Sequence, residues 1–222
     1  LVGSEMCIRD RPYGKRSFLT LRDGTKVWIN SGTEVRFPVN MEGKERSIYV
    51  DGEIYIEVAK DKERPFYVHT SGFDVRVYGT KFNVTSYKAD KEKSVVLVEG
   101  SVSVCSKEET KEKEVKEIFL HPDQMYHTTN RGPMITHVNA LQYITWKDGI
   151  WQFTSESLES IALRLSRYYG VDIHCDEKTA VKSCTGKLIL FDDVDKTLRI
   201  IEEIFGVRYE TNQNEIIISM NP

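Results

Sequence analysis

The sequence predicts a mainly β N-terminal domain, an antiparallel sandwich or roll, followed by a small α+β domain with two helices on a sheet. Three observations carry that expectation. From Leu19 to Thr129 apolar residues recur at alternate positions in short runs separated by Asp-Gly, Gly and Pro, which is the period of half-buried strands. After residue 146 the period changes to that of a helix in two places. Those two stretches, beginning at Leu158 and Val194, each end in Gly-Val, so one supersecondary unit occurs twice.

Composition narrows the function classes. At 222 residues the chain can bury a sizeable core as one large or two smaller domains. Its 31 basic and 34 acidic residues are interspersed and leave a net charge of −3, which argues against a nucleic-acid partner. The longest apolar runs, such as Val95–Val98 and Ile216–Ile218, are far too short to cross a bilayer, so no membrane segment is expected in this stretch of chain. The four cysteines (7, 105, 175 and 184) and five scattered histidines lack metal-ligand spacing. No metal or cofactor is expected.

The chain opens on leucine, as a fragment would. Leu1–Arg11 resembles translated adaptor sequence, so this segment is expected to be non-native or disordered and outside the fold. The first domain then spans residues 12–130. It opens with a strand through Leu19 and Leu21, an Asp23-Gly24 turn, and a strand through Val27 and Ile29. Ile48 and Val50 precede Asp51-Gly52, and Ile54, Ile56 and Val58 follow it, which predicts a second hairpin. Val75 and Val77, a break at Gly79, then Phe82 and Val84 continue the pattern. Gly24-Thr25-Lys26 is echoed by Gly79-Thr80-Lys81, suggesting two related hairpins. Neither copy has the upstream glycine spacing or the following helix of a phosphate loop. Strands follow at Val95–Val98, Val102–Val104, Ile118–Leu120 and Met125–Thr129, and the mixed-charge run Lys107–Glu117 reads as a solvated loop.

Residues 131–146, opened by the turn-rich Gly132-Pro133, read as a linker, and 147–222 as the second domain. A strand through Trp151 and Phe153 leads to a helix in which Leu158, Ile161, Leu165 and Tyr168 share a face. Ser155 or Ser157 caps it and Gly170 stops it. The second copy runs from the strand Gly186–Leu190 through Asp192-Asp193 to a helix stopped by Gly206, and Ile216–Met220 closes the chain as a strand.

The block Asp51–Ala59 (DGEIYIEVA), then Pro65-Phe66, then Gly79–Val84 (GTKFNV) resembles the core signature of FecR-family proteins. The opening Asp23–Thr33 resembles the start of the same domain. The C-terminal half, with Trp146, Asp148-Gly149, Phe153, Tyr169-Gly170-Val171 and Thr185-Gly186, is similar to the short domain that follows FecR domains in glycan-uptake regulators. It is also similar to the signalling domains of secretins and TonB-dependent receptors. The resemblance spans Pro12 to Met220. It implies the periplasmic region of an inner-membrane-anchored anti-sigma regulator. Its partner would be the signalling domain of a TonB-dependent outer-membrane transporter, and an extracytoplasmic-function sigma factor would be reached only through a cytoplasmic part outside this sequence. The alternative is a free-standing periplasmic glycan-binding module.

Catalysis is not expected, and no catalytic, cofactor-binding or metal residues are assigned. Glu53 and Glu57 lie on one strand face with α-carbons roughly 13 Å apart, whereas glycosidase carboxyl pairs sit about 5–9.5 Å apart. Trp28, Trp146 and Trp151 are expected in the core in preference to a sugar-stacking face. Cys175 and Cys184 flank an eight-residue loop that either sets them opposite each other for a disulfide, which a periplasmic location would permit, or leaves two buried thiols. The partner-binding residues are left open, although an unpaired sheet edge in the second domain is the expected means of contact.

Overall fold

The computed structural model describes residues 6–10, 12, 14–107, 117–129, 132–213 and 215–221. The central part of Lys107–Glu117, residues 1–5 and 11 of the expected N-terminal segment and the turn residues 130–131 lie outside the described residues. Two compact units emerge, residues 1–11 with 16–144, and residues 12–15 with 145–222.

The first unit is one curled sheet of thirteen strands organised on β5 (Arg46–Glu57). The first half of β5 pairs with β4 (Glu34–Pro38) and β6 (Phe66–His69), and the second half with β3 (Lys26–Ile29) and β8 (Lys81–Ser86). One arm continues from β6 through β7 (Phe73–Val77) and β10 (Val102–Ser106) to β11 (Glu117–Leu120). The other continues from β8 through β9 (Ser94–Glu99) and β12 (Gln124–His127) to β13 (Met134–His137). β2 (Ser17–Thr20) forms the expected hairpin with β3, and β1 (Met6–Asp10) lies outside β4. Met6–Asp10, expected outside the fold, therefore has a place in the sheet, as does Met134–His137 in the expected linker.

The hairpin expected at Asp51-Gly52 is absent, because β5 runs straight through it. Side-chain parity gives the reason. Across a two-residue turn the flanking residues pair, so apolar positions change from even to odd. Here Ile48, Val50, Ile54 and Ile56 stay even and all four are buried, as one uninterrupted strand requires. Asp51-Gly52 supplies a bend. Gly52 has φ 136°, and a Cβ there would lie 2.4 Å from Thr33 Oγ1. A straight twelve-residue strand would span roughly 36 Å, yet Arg46 at its start donates to the carbonyl of Ala59, just past its end, at 2.9 Å. The strand is curled tightly enough to bring its ends together. The return from Ala59 to Phe66 then lays β6 parallel to β5, a departure from an all-antiparallel sheet.

The two Gly-Thr-Lys copies are not two hairpins either, since β7 and β8 lie in different arms. They flank the end of β5 instead. Lys26 and Lys81 stand on either side of Glu57, Thr25 Oγ1 accepts from Ala59 N–H, and the Thr80 carbonyl accepts from Val58 N–H. The inner faces of both arms contribute to one core, including Ile29, Ile48, Ile54, Phe66, Phe82 and Leu97.

The second unit contains β14 (Ile150–Ser157), α1 (Leu158–Tyr169), β15 (Asp172–Cys175), α2 (Glu177–Ala180), β16 (Ser183–Ile189), α3 (Val194–Phe205), β17 (Val207–Asn212) and β18 (Glu215–Met220). A 3-10 helix over Ala140–Asp148 precedes them. Ser157 Oγ caps α1 by accepting from Ser160 N–H, and Asp193 caps α3 by accepting from Asp195 N–H. Gly170 and Gly206 end them in the left-handed conformation (φ 73° and 60°), as their positions in the repeat predict. The strands form two sheets where one was expected. β14 pairs with β16, while β15 and β17 flank β18. The repeated strand–helix–strand unit explains the split. The strands before the helices pair with each other, those after the helices pair with β18, and no strand joins the sets. Both sheets and the two long helices, α1 and α3, share a core of Trp151, Phe153, Leu158, Leu165, Ile201 and Ile218, among others.

Candidate partner-binding site

The signature residues of the first unit prove to be structural. Arg46 is 1% exposed and ion-paired to buried Asp23 at 2.9 Å. It also donates to the carbonyls of Ala59 and Arg64 and lies over the Phe66 ring. Asp23 in turn accepts from the N–H and hydroxyl of Thr25. One guanidinium thus clips the first hairpin turn, the start of β5 and the return loop together. Glu53 accepts from the side-chain amides of Asn30 (2.7 Å) and Asn83 (3.1 Å) and from the hydroxyl of Thr85 (3.2 Å), tying β3, β5 and β8. Glu57 accepts from the Tyr55 hydroxyl, and burial together with that bond pushes the Tyr55 phenol far above its ordinary range. Glu53 is thus engaged across three strands, while Glu57 bonds a tyrosine of its own strand.

Among the described residues no group of three or more His, Cys, Asp or Glu is placed to hold a metal ion. A cavity of about 590 Å³ beside Asp123 and Asn139 and one of about 410 Å³ beside Gly170 and Asp195 are open and contain no nucleophile–base pair. Trp146 and Trp151 are buried as expected, whereas Trp28, expected in the core, is half-buried in a row of tilted rings between exposed Phe18 and buried Tyr55. Among the described residues no helix is long and apolar enough to cross a membrane.

The second unit offers unpaired sheet edges of unequal openness. On β17 the register with β18 turns the Tyr209 N–H outward, where Glu202 Oε1 accepts it at 3.1 Å. Arg208 and Glu210 add exposed charges, so this edge is blunted. β15 has only four residues. β16 differs. The bond from Leu190 N–H to the Gly149 carbonyl fixes which residues of β16 bond to β14, and it turns the backbone groups of Lys187 and Ile189 the other way. The side chains of Ser183, Thr185, Lys187 and Ile189 are all exposed, Ile189 by 54%. β16 is therefore an open edge of seven residues in a sheet of only two strands. Sequence reasoning could not choose this strand, because an open edge depends on which strands end up as neighbours.

Cys175 and Cys184 are free thiols. The hairpin that would have opposed them does not form, because α2 separates their strands and β15 and β16 join different sheets. Cys175 donates to the Leu158 carbonyl, and burial pushes its thiol up to about 11.

Comparison with known proteins follows this geometry. Residues 12–103 match the FecR protein family model, and residues 150–218 match the model for the FecR C-terminal domain. The chain belongs to the FecR family. Two crystal structures of a candidate anti-sigma factor from Parabacteroides distasonis, at 2.50 and 1.65 Å resolution, are similar to it throughout. Each superposes with a TM-score of 0.87 at 25% identity, covering 98% or 97% of this chain and 100% of the other. No curated protein matches. The FecR signature Asp51–Ala59 is thus the second half of the curled strand together with Ala59, whose carbonyl Arg46 grips.

Proposed function

We propose that this FecR-family chain is the periplasmic signal-receiving region of a membrane-anchored anti-sigma regulator. The second unit takes up the signalling domain of a TonB-dependent outer-membrane transporter, and the first unit, read as a sandwich-like scaffold, passes that contact towards the membrane. The sigma factor is engaged by a cytoplasmic part outside this sequence. Besides the family, the observation that carries the reading is the open edge of β16. Two strands are a marginal sheet, and an added strand would satisfy outward backbone groups at Lys187 and Ile189. The resemblance of this unit to receptor signalling domains supports a partner of like architecture.

Lys187→Pro tests this directly. Proline removes an N–H that faces away from β14, so the existing ladder keeps its bonds while an incoming strand loses one and meets the ring. Isothermal titration of the purified receptor signalling domain should show at least a tenfold loss of affinity with unchanged thermal stability. Wild-type affinity in a folded Lys187→Pro chain would refute the assignment of this edge.

A further inference from the structure

The β14–β16 sheet has one usable edge, and that edge carries a charge. Along β14 the ladder is broken by a bulge, where Ser155 has φ 49°. On β16, Lys187 is exposed and has no ion-pair partner among the described residues. Alternation sets Thr185 and Ile189 beside it on the same face. A second copy of this chain would meet the edge by antiparallel pairing about a two-fold axis. The register that engages all of Ser183–Ile189 puts the two Lys187 side chains on the diagonal, roughly 7–8 Å apart. A slide of two residues sets them face to face, and the opposite slide leaves Ile189 beyond the paired stretch. Beneath the edge lies an apolar flank. α3 packs against both β16 and β17, and its Glu202 accepts from the β17 backbone. Ile200 and Ile204 each lie roughly 200° round the helix from Glu202, on the β16 side. Ile204 is 43% exposed and Ile200 half-buried. Lys182, just before β16, donates to the Phe205 carbonyl at 2.8 Å, which aligns the start of β16 with the end of α3.

We infer that Lys187 sets the specificity of this edge. It disfavours a second copy of the chain and selects a partner strand that brings a carboxylate opposite Lys187, an apolar side chain beside Ile189, and apolar residues on its inner face over Ile200 and Ile204. The inference rests on the reading of β16 as the partner-binding edge and adds the chemistry of the strand that edge accepts.

The test uses the full chain and two backbone-cyclised, fluorescein-labelled hairpins. One presents Ile-Val-Glu-Val-Thr, which in antiparallel register sets its glutamate opposite Lys187 and its isoleucine opposite Ile189. The other carries lysine in place of the glutamate. Fluorescence polarisation should show wild type binding the glutamate hairpin about fivefold tighter than the lysine hairpin. Lys187→Glu should reverse that preference, which a merely structural role for Lys187 would not do. Ile204→Asp should weaken both hairpins about tenfold and leave the preference unchanged. By sedimentation the wild-type chain should be monomeric. Lys187→Val should dimerise at the same concentration, and Lys187→Val with Ile189→Pro should be monomeric again. Equal binding of the two hairpins by wild type, an unreversed preference in Lys187→Glu, a monomeric Lys187→Val chain, or failure of every form to bind either hairpin overturns the inference. A wild-type dimer through β16 overturns the choice of occupant. These results are separable from the receptor reading. Lost discrimination alongside receptor binding that still responds to Lys187→Pro overturns the charge selection alone, and discrimination alongside a receptor domain indifferent to Lys187→Pro overturns the receptor assignment alone.

Discussion

Asp23→Asn isolates the charge beneath the return loop. The substitution keeps an oxygen for the Thr25 N–H but removes the counter-charge of Arg46, a guanidinium 1% exposed whose other bonds go to the Ala59 and Arg64 carbonyls. Breaking a buried ion pair by neutralising one member costs about 3–5 kcal/mol, because the surviving charge is left desolvated and uncompensated. That is a large share of the roughly 5–15 kcal/mol that holds a typical domain. With a urea dependence of about 2 kcal/mol per molar, the unfolding midpoint of the first unit should fall by about 1.5–2.5 M. Arg46→Met in the Asp23→Asn background should then cost much less than Arg46→Met alone, since the charge it removes is already unpaired. Urea titrations followed by tryptophan fluorescence, run as a double-mutant cycle, measure both quantities. A loss below about 1 kcal/mol for Asp23→Asn, or additivity of the two changes, would refute the view that this pair clips the curled strand.

Other outcomes follow from the same structure. Gly52→Ala forces a side chain into a backbone conformation with φ 136° and against Thr33, so its melting temperature should drop by well over the roughly 2–4 °C that about 1 kcal/mol shifts a domain near 150 residues; an unchanged melting curve would contradict the bend. Intact mass without reduction should show Cys175 and Cys184 as thiols. Iodoacetamide at pH 8 should label Cys175 slowly, since burial raises its thiol to about 11. Asp176 caps α2, and the Thr179 N–H holds its carboxyl below the ordinary carboxylate range. The native state is thus favoured above the ordinary value near 3.9, and that contribution fades as pH falls through the lower folded value. The Thr179 amide signal should shift below pH 4 in wild type and be insensitive there in Asp176→Ala.

Much of the fold was legible because its signals are local. Gly170 and Gly206 stop their helices wherever the helices pack, and Ser157 caps α1 by a bond three residues long. The repeat from Leu158 to Val194 announced two like units. What escaped was non-local. Asp-Gly suggested a hairpin at Asp51-Gly52, although the unbroken even parity from Ile48 to Ile56 already favoured a single strand. Parity could have told the bend from a turn, but which arm each half of the strand joins depends on pairings far away in sequence. The division of the second unit into two sheets, and hence the open edge at β16, depends on pairings between strands far apart in sequence. Arg46 could be suspected from no motif. Its acceptors at Asp23, Ala59 and Arg64 converge only after β5 has curled.

The position of β5 also sets the order in which the first unit can assemble as the chain is made. The β2–β3 hairpin can close early, but β3 and β4 find their main partner only when residues 46–57 have emerged. Even then β5 is not secured until Ala59 and Arg64 are available to Arg46 and until Phe66–His69 arrive to pair in parallel with its first half. Synthesis from the N-terminus therefore exposes nearly a third of the chain, with its alternating apolar positions, before any large part of the sheet can close. That delay leaves the early strands open to wrong pairings, so the first unit's yield is set by how soon residues 46–69 follow residues 17–38 out of the ribosome.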